Sequence, residues 1–352
     1  MKGIPYNERG IALFIVLWVM ALLAVIAGEF CYAVRTEANI TRNFKEETQT
    51  YYLAVSGLSW AVENLVVREL TPGRAVAAAD GEGPQEDVPL RINAALPPVD
   101  YGDGQFTVFV ENESGKINLN KAGYPLLKMM LSRFEMSDAE RNVIIDSIMD
   151  WRDKDKLHRP NGAEDEYYLA LPSPYRCKNG DFTSTGELLL VRGITPEIFY
   201  GGLEDMVSVY QDKEEAERDI QRPAWERRRA EQAVRRKPAF DFNKININSA
   251  PPQVLAAFPR MTENAVQEIM KYREQKDIRS VSDLRAVAGD DIYAAVWPYV
   301  TFNLSPYYTL KSVGTVADSR TRRGVQAVVK IDRRLPKGYE IVQWIDALEE
   351  RS

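Results

Sequence analysis

Residues 150–182, DWRDKDKLHRPNGAEDEYYLALPSPYRCKNGDF, concentrate the side chains whose types and spacing could do chemistry. Asp150, Asp153 and Asp155 precede a Pro160-Asn161-Gly162 turn, Glu164, Asp165 and Glu166 follow it, and Asn179 and Asp181 lie near the exit. Carboxylate and amide oxygens gathered around a glycine turn suit calcium, which takes roughly 6–8 oxygen ligands in adaptable geometry. The spacing is not that of an EF-hand, because Lys156 and Leu157 stand where that loop needs another oxygen and its glycine. A solvated acidic surface neutralised by Lys154, Lys156 and Arg159 accounts for the same residues.

Composition limits the alternatives. The 352 residues include one His and two Cys, too few for zinc sites of His and Cys, a disulfide framework or paired-histidine catalysis, so a bound ion should be a hard one held by oxygen. His158, among acidic and basic neighbours, reads as a surface residue, and Cys177 as a free thiol or a buried small residue. No Ser or Thr has an evident base beside it and no Gly-rich phosphate loop follows a strand, so the sequence supports no catalysis. With 45 Lys plus Arg against 51 Asp plus Glu the formal net charge is −6, which argues against a chain devoted to neutralising phosphates.

The elements that must carry this loop begin with a helix. After the leader MKGIPYNERG, residues 11–28 (IALFIVLWVMALLAVIAG) hold no charge and are just long enough to cross a bilayer. Lys2 and Arg9 on the leader side should keep the N-terminus cytoplasmic. Tyr51, Val55, Leu58, Val62 and Leu65 continue a helical face outward, and Thr71-Pro72-Gly73 should end it, giving one helix to about Leu70. FTVFVE at 106–111 alternates as a strand does. So do YTLKSVGTV, GVQAVVKIDRR and YEIVQWIDAL after Pro306, which together predict a small antiparallel meander.

Between these strand regions the chain repeats itself. KINLNKA at 116–122 returns as KININSA at 244–250. Ile148, Met149, Trp151, Arg152 and Asp153 answer Ile269, Met270, Tyr272, Arg273 and Glu274, while Phe182, Leu188, Val191 and Gly193 answer Ile278, Leu284, Val287 and Gly289. The acidic loop is the extra material in the first copy. Each copy looks like a helix-hairpin-helix unit in which the Asn-x-Asn-x-Ala entry caps the first helix. The hairpins RFEMSD and FPRMTEN lack the glycine whose backbone would meet phosphate, so use in assembly is expected ahead of DNA binding. Residues 211–237 form a charged linker whose Arg227-Arg228-Arg229 run is flanked by Glu226 and Glu231.

Arg9-Gly10 before an uninterrupted apolar helix resembles the type IV prepilin leader. The resemblance implies cleavage between Gly10 and Ile11 by prepilin peptidase and N-methylation of Ile11. Prepilins usually carry Glu at the fifth mature position, where it neutralises a neighbour's amino terminus; here that residue is Ile15. The missing Glu, the small sheet and the duplicated helical insert together resemble the K-type minor pseudopilin of type II secretion systems over essentially the whole chain.

That resemblance implies an α+β, type IV pilin-like fold, a long N-terminal helix packed on a small antiparallel sheet, with a large inserted α-helical domain. Its expected boundaries are a leader at 1–10, a transmembrane part at 11–28, a first pilin-like part at 29–115, the insert at 116–302 (copies at about 116–210 and 244–302) and a second pilin-like part at 303–352. It further implies a non-enzymatic, single-pass protein of the bacterial inner membrane, periplasmic in bulk, that initiates and caps a pseudopilus. Its expected partners are the I- and J-type minor pseudopilins, the major pseudopilin and prepilin peptidase, with nucleic acid not expected. Calcium is the implied cofactor, with Asp150, Asp153, Asp155, Glu164 and Asp165 the candidate ligands. Competing readings are a membrane-anchored DNA receptor of the competence type, a minor pilin of a type IV pilus, and a membrane-bound metalloenzyme using the acidic loop.

Overall fold

The computed structural model describes residues 8–70, 92–93, 96–211, 240–317, 319 and 321–346, and side chains from residue 13 onward. Residues 1–7 of the leader and residues 212–239, which include the charged linker beyond residue 211, lie outside these residues, as does the side chain of Ile11.

Helix α1, Glu8–Leu70, is 63 residues long, roughly 95 Å at ~1.5 Å per residue. Its two halves differ in partner. From Leu13 to Phe44 every residue is exposed, whereas Ala54, Leu58, Ala61, Val62 and Leu65 are buried against a five-stranded sheet. The sheet contains β1 (Val99–Tyr101), β2 (Gly104–Asn112), β7 (Tyr307–Val316), β8 (Arg322–Ile331) and β9 (Tyr339–Ile345), antiparallel throughout in the order β1-β2-β7-β8-β9. Phe106, Val108, Val110, Leu310, Val325, Ala327 and Val329 supply its side of the core. Tyr51 and Val55 are only partly buried, because the contact centres on small residues and brings the backbones close. A Cβ on Gly314 would lie 2.0 Å from the Thr50 carbonyl oxygen, and one on Gly57 would strike Phe106 and Ser312.

The chain leaves the sheet at the end of β2 and returns at β7, although these strands are paired from Gly104↔Val316 to Asn112↔Tyr308. Asn112 closes the mouth of this split hairpin. Its Oδ1 accepts from the backbone N–H groups of Ser114 and Ser305, and its Nδ2 donates to the Ser305 carbonyl at 2.9 Å. Beside it Lys116 donates to Glu113 at 2.9 Å and lies 3.4 Å from Glu111, which Lys311 also reaches at 2.9 Å.

The excursion builds a second apolar core from Ile117 to Val300. Its first copy holds β3 (Ile117–Asn118), α2 (Tyr124–Leu131), α3 (Asp138–Arg152), α4 (Asp165–Leu169), α5 (Pro196–Ile198), α6 (Glu204–Met206) and β4 (Val207–Ser208). The second holds β5 (Ile245–Asn246), α7 (Pro252–Ala257), α8 (Glu263–Gln275), α9 (Val281–Ala288), α10 (Asp290–Val296) and β6 (Val300–Thr301). Each copy closes on itself through a two-residue parallel pair, β3 with β4 and β5 with β6.

Candidate functional site

The two Asn-x-Asn-x-Ala motifs do the same work in both copies, and that work is not helix capping. The N-cap of α2 is Gly123 and that of α7 is Pro251, neither with a side-chain cap bond, and each helix starts with a proline in its first turn. The asparagines lie too far upstream to reach the first free N–H groups, and they bind across the fold instead. Asn118 Nδ2 donates to the Tyr210 carbonyl at 2.7 Å, as Asn246 Nδ2 does to Asn303 at 2.9 Å, tying the entry of each copy to its exit. Asn120 exchanges two bonds with the Phe182 backbone, at 2.9 and 2.7 Å, and Asn248 exchanges two with Ile278, both at 2.8 Å. Arg152 donates to the carbonyls of Leu119 and Ala122, and its counterpart Arg273 to that of Ala250.

The acidic loop grows out of this frame. A capping box of Ser137 and Glu140 starts α3, whose buried face carries Ile144, Ile145, Ile148 and Trp151 and, among them, Asp146 and Asp150. Asp146 Oδ2 accepts from the backbone and side chain of Asn161 at 3.1 and 2.9 Å, which folds the turn back onto the helix. Gly162 is required there: a Cβ would lie 1.8 Å from Asp150 Oδ2. Asp150 is fully buried and accepts from the Arg159 backbone N–H and from Arg159 Nη1 at 2.5 Å; the same Nη1 lies 2.6 Å from Asp153 Oδ2.

Around this guanidinium several oxygens have no hydrogen-bond partner although they are buried: Asp153 Oδ1, both oxygens of Glu164, and Asn179 Oδ1. Glu164 is 5% exposed, and Cys177 and Asn179 lie beside it outside hydrogen-bonding geometry. Burial, and then the charges of Asp150 and Asp153, push the Glu164 carboxyl above its ordinary value, and burial likewise raises Asp150 against the pull of Arg159. Desolvation of this kind penalises the charged form. It also pushes the Cys177 thiol up to about 12, so that residue is a protonated packing group rather than a nucleophile.

The five candidate ligands therefore separate. Asp150, Asp153 and Glu164 share one pocket of charge, while Asp155 is exposed with Oδ1 accepting from the Leu157 N–H, and Asp165 Oδ1 accepts from the Cys177 N–H at 2.9 Å. Asn179, held at φ 48°, joins the first group, and its signal in the sequence is an amide at the loop exit. Among the described residues no three His, Cys, Asp or Glu side chains converge as an assembled ion site, and Arg159 occupies the space between Asp150 and Asp153. The orphaned oxygens nevertheless have the chemistry of hard-cation ligands, and unpaired buried acceptors cost ~1–3 kcal/mol each. Asp153, Glu164 and Asn179 carry these oxygens. His158 is exposed, with Nδ1 2.9 Å from the Arg159 carbonyl oxygen.

At the other end of the molecule, α1 contains a stretch of mean hydropathy 2.5, none of it buried, long and apolar enough to cross a membrane. Ile15 is 54% exposed within it.

Residues 108–212 match the family described as type II secretion system (T2SS), protein K. Over 212 residues the chain is 28% identical to the type II secretion system protein K of Aeromonas hydrophila, covering 55% of this chain and 61% of that protein. Over 214 residues it is 31% identical to the corresponding protein of Pectobacterium carotovorum subsp. carotovorum, covering 55% and 60%. The chain thus spans about three fifths of the length of these curated relatives. A chain in the crystal structure of the GspK-GspI-GspJ complex from the enterotoxigenic Escherichia coli type 2 secretion system is similar in fold, with a TM-score of 0.54 at 17% identity, covering 88% of this chain and 99% of that one.

Proposed function

We propose that the chain, whose residues 108–212 match the protein K family of type II secretion systems, is a minor pseudopilin, anchored in the inner membrane by α1 and placed at the tip of a periplasmic pseudopilus. The observation that carries the reading is the join of that family segment, inserted between two paired strands, to a helix whose first half is apolar and exposed. On this reading Gly10 and Ile11 mark prepilin processing, and Ile11 is methylated. Ile15 removes the carboxylate an internal subunit would offer its neighbour's amino terminus, since an unpaired charge in apolar surroundings is costly. The bulk of residues 116–302, an inserted helical domain with its own apolar core, blocks further subunits from stacking above it. I- and J-type minor pseudopilins are the proposed partners, meeting the protein along α1. Calcium, held by Asp153, Glu164 and Asn179, neutralises the buried charge of the acidic loop.

Two experiments test the reading. In cells with prepilin peptidase the wild-type chain should lose ten residues and Gly10→Val should remain full length; equal processing of both refutes the leader assignment. Detergent-extracted protein should co-purify with the I- and J-type subunits of its own system, and the absence of such a complex, with retardation of duplex DNA at low salt instead, would favour a DNA receptor.

A further inference from the structure

Two carboxylates, fully buried Asp150 and half-buried Asp153, share the guanidinium of Arg159 at 2.5 and 2.6 Å, while Glu164 beside them has both oxygens unpaired. Arg152, which Asp153 also influences from the end of α3, has its guanidinium committed to the carbonyls of Leu119 and Ala122. Asp153 is divided: Oδ2 belongs to Arg159 while Oδ1 has no partner. We infer that Arg159 is a resident counter-cation that lets the acidic loop fold without a divalent ion, and that it does part of the work calcium does when calcium is bound.

The inference rests on the calcium reading above but concerns what holds the loop when calcium is absent. Fully buried Asp150 cannot stay ionised alone, since removing one partner of a buried ion pair leaves an uncompensated charge. With Arg159 present, chelation strips only the charge balance of Glu164 and the free oxygen of Asp153. Without Arg159, all three carboxylates depend on the divalent ion, so stability becomes linked to its concentration much more steeply.

The test measures melting of the full-length chain in detergent, in calcium chloride and in chelator, for wild type, Arg159→Met, Arg159→Lys and Arg273→Met. Melting is followed by circular dichroism. Arg159→Met should lose several degrees more on chelation than wild type, an easily resolved difference for a chain of this size. Arg159→Lys, which keeps the charge, should stay near wild type. Arg273→Met, which removes the counterpart of the Arg152 bond in the copy lacking the loop, should lower Tm equally with and without calcium. If Arg159→Met does not fold at all, the pair Arg159→Met/Asp150→Asn must restore a folded protein whose loss on chelation is no larger than that of wild type; failure to do so overturns the inference. Equal calcium responses of wild type and Arg159→Met overturn it while leaving the calcium reading standing. Calcium insensitivity of every variant overturns both, and a response of Arg159→Met alone supports the counter-cation.

Discussion

Glu164 is a carboxylate placed where ionisation is penalised, and the penalty has a readable pH dependence. Its folded-state pKa lies above the ordinary value. The folded protein therefore binds this proton more tightly than the unfolded chain does, and the resulting stability is present below the unfolded pKa and lost as pH rises through the raised folded one. In chelator, wild type should gain stability relative to Glu164→Gln as pH falls from neutral toward the carboxylate range, and melting curves of the two at a series of pH values should converge there. Calcium should stabilise wild type more than Glu164→Gln at neutral pH. Asn120 and Asn248 make the complementary case, because their side chains are fully used. Removing either by Ala should cost about 2–3 kcal/mol in urea denaturation, since each ties two backbone groups of a distant segment. Sequence spacing marked these asparagines as important and misassigned their partners. An Asn-x-Asn motif before a helix has the local look of a cap, while the groups it binds lie 62 and 30 residues away, where no local pattern can point.

Among the elements, α1 meets β7 so closely that side-chain size at two glycines decides the fit. Gly314→Ala would put a methyl group 2.0 Å from the Thr50 carbonyl, a backbone atom that cannot step aside, so it should cost ~1–3 kcal/mol or more. Gly201→Ala, with open space around it, should leave urea stability unchanged within about 0.5 kcal/mol. The strands and the long helix were legible because their signals are periodic: β2, β7, β8 and β9 coincide closely with the alternating runs, and α1 ends at Leu70 ahead of Thr71-Pro72-Gly73. The small-residue line of Ala54, Gly57 and Ala61 was not legible, because hydrophobic period marks which face is buried and says nothing of how near the sheet comes. The acidic loop showed its residue types, but its division into buried and exposed carboxylates depends on which of them α3 and the Gly162 turn carry inward.

For the molecule as a whole, the charged cluster at the root of the excursion joins one core to the other. Lys116 holds Glu113 and Glu111 together, and its own pKa is raised by them against the effect of burial. Lys116→Met should destabilise the protein by about 3–5 kcal/mol, as expected when buried carboxylates lose their partner. The Glu111 carboxyl is held below its ordinary value by Lys116 and Lys311 against the opposing effect of burial. Its contribution is therefore present above the unfolded pKa and fades as pH falls through the folded one. Urea titrations across acid pH should show wild type losing this increment and Lys116→Met with less of it to lose.

The pairing of β2 with β7 also fixes where mechanical load goes. A pull on α1 reaches the sheet through the buried half of the helix, which packs on β2, β7 and β8 alike, and the β2–β7 ladder is closed at its end by Asn112 and Ser305. The chain between them branches from that latch as a side lobe and is tied back to the sheet where Tyr307 donates to the Gln211 carbonyl. Load carried through α1 and the sheet therefore meets the helical lobe at its root, where the ladder, the latch and the Tyr307 bond converge.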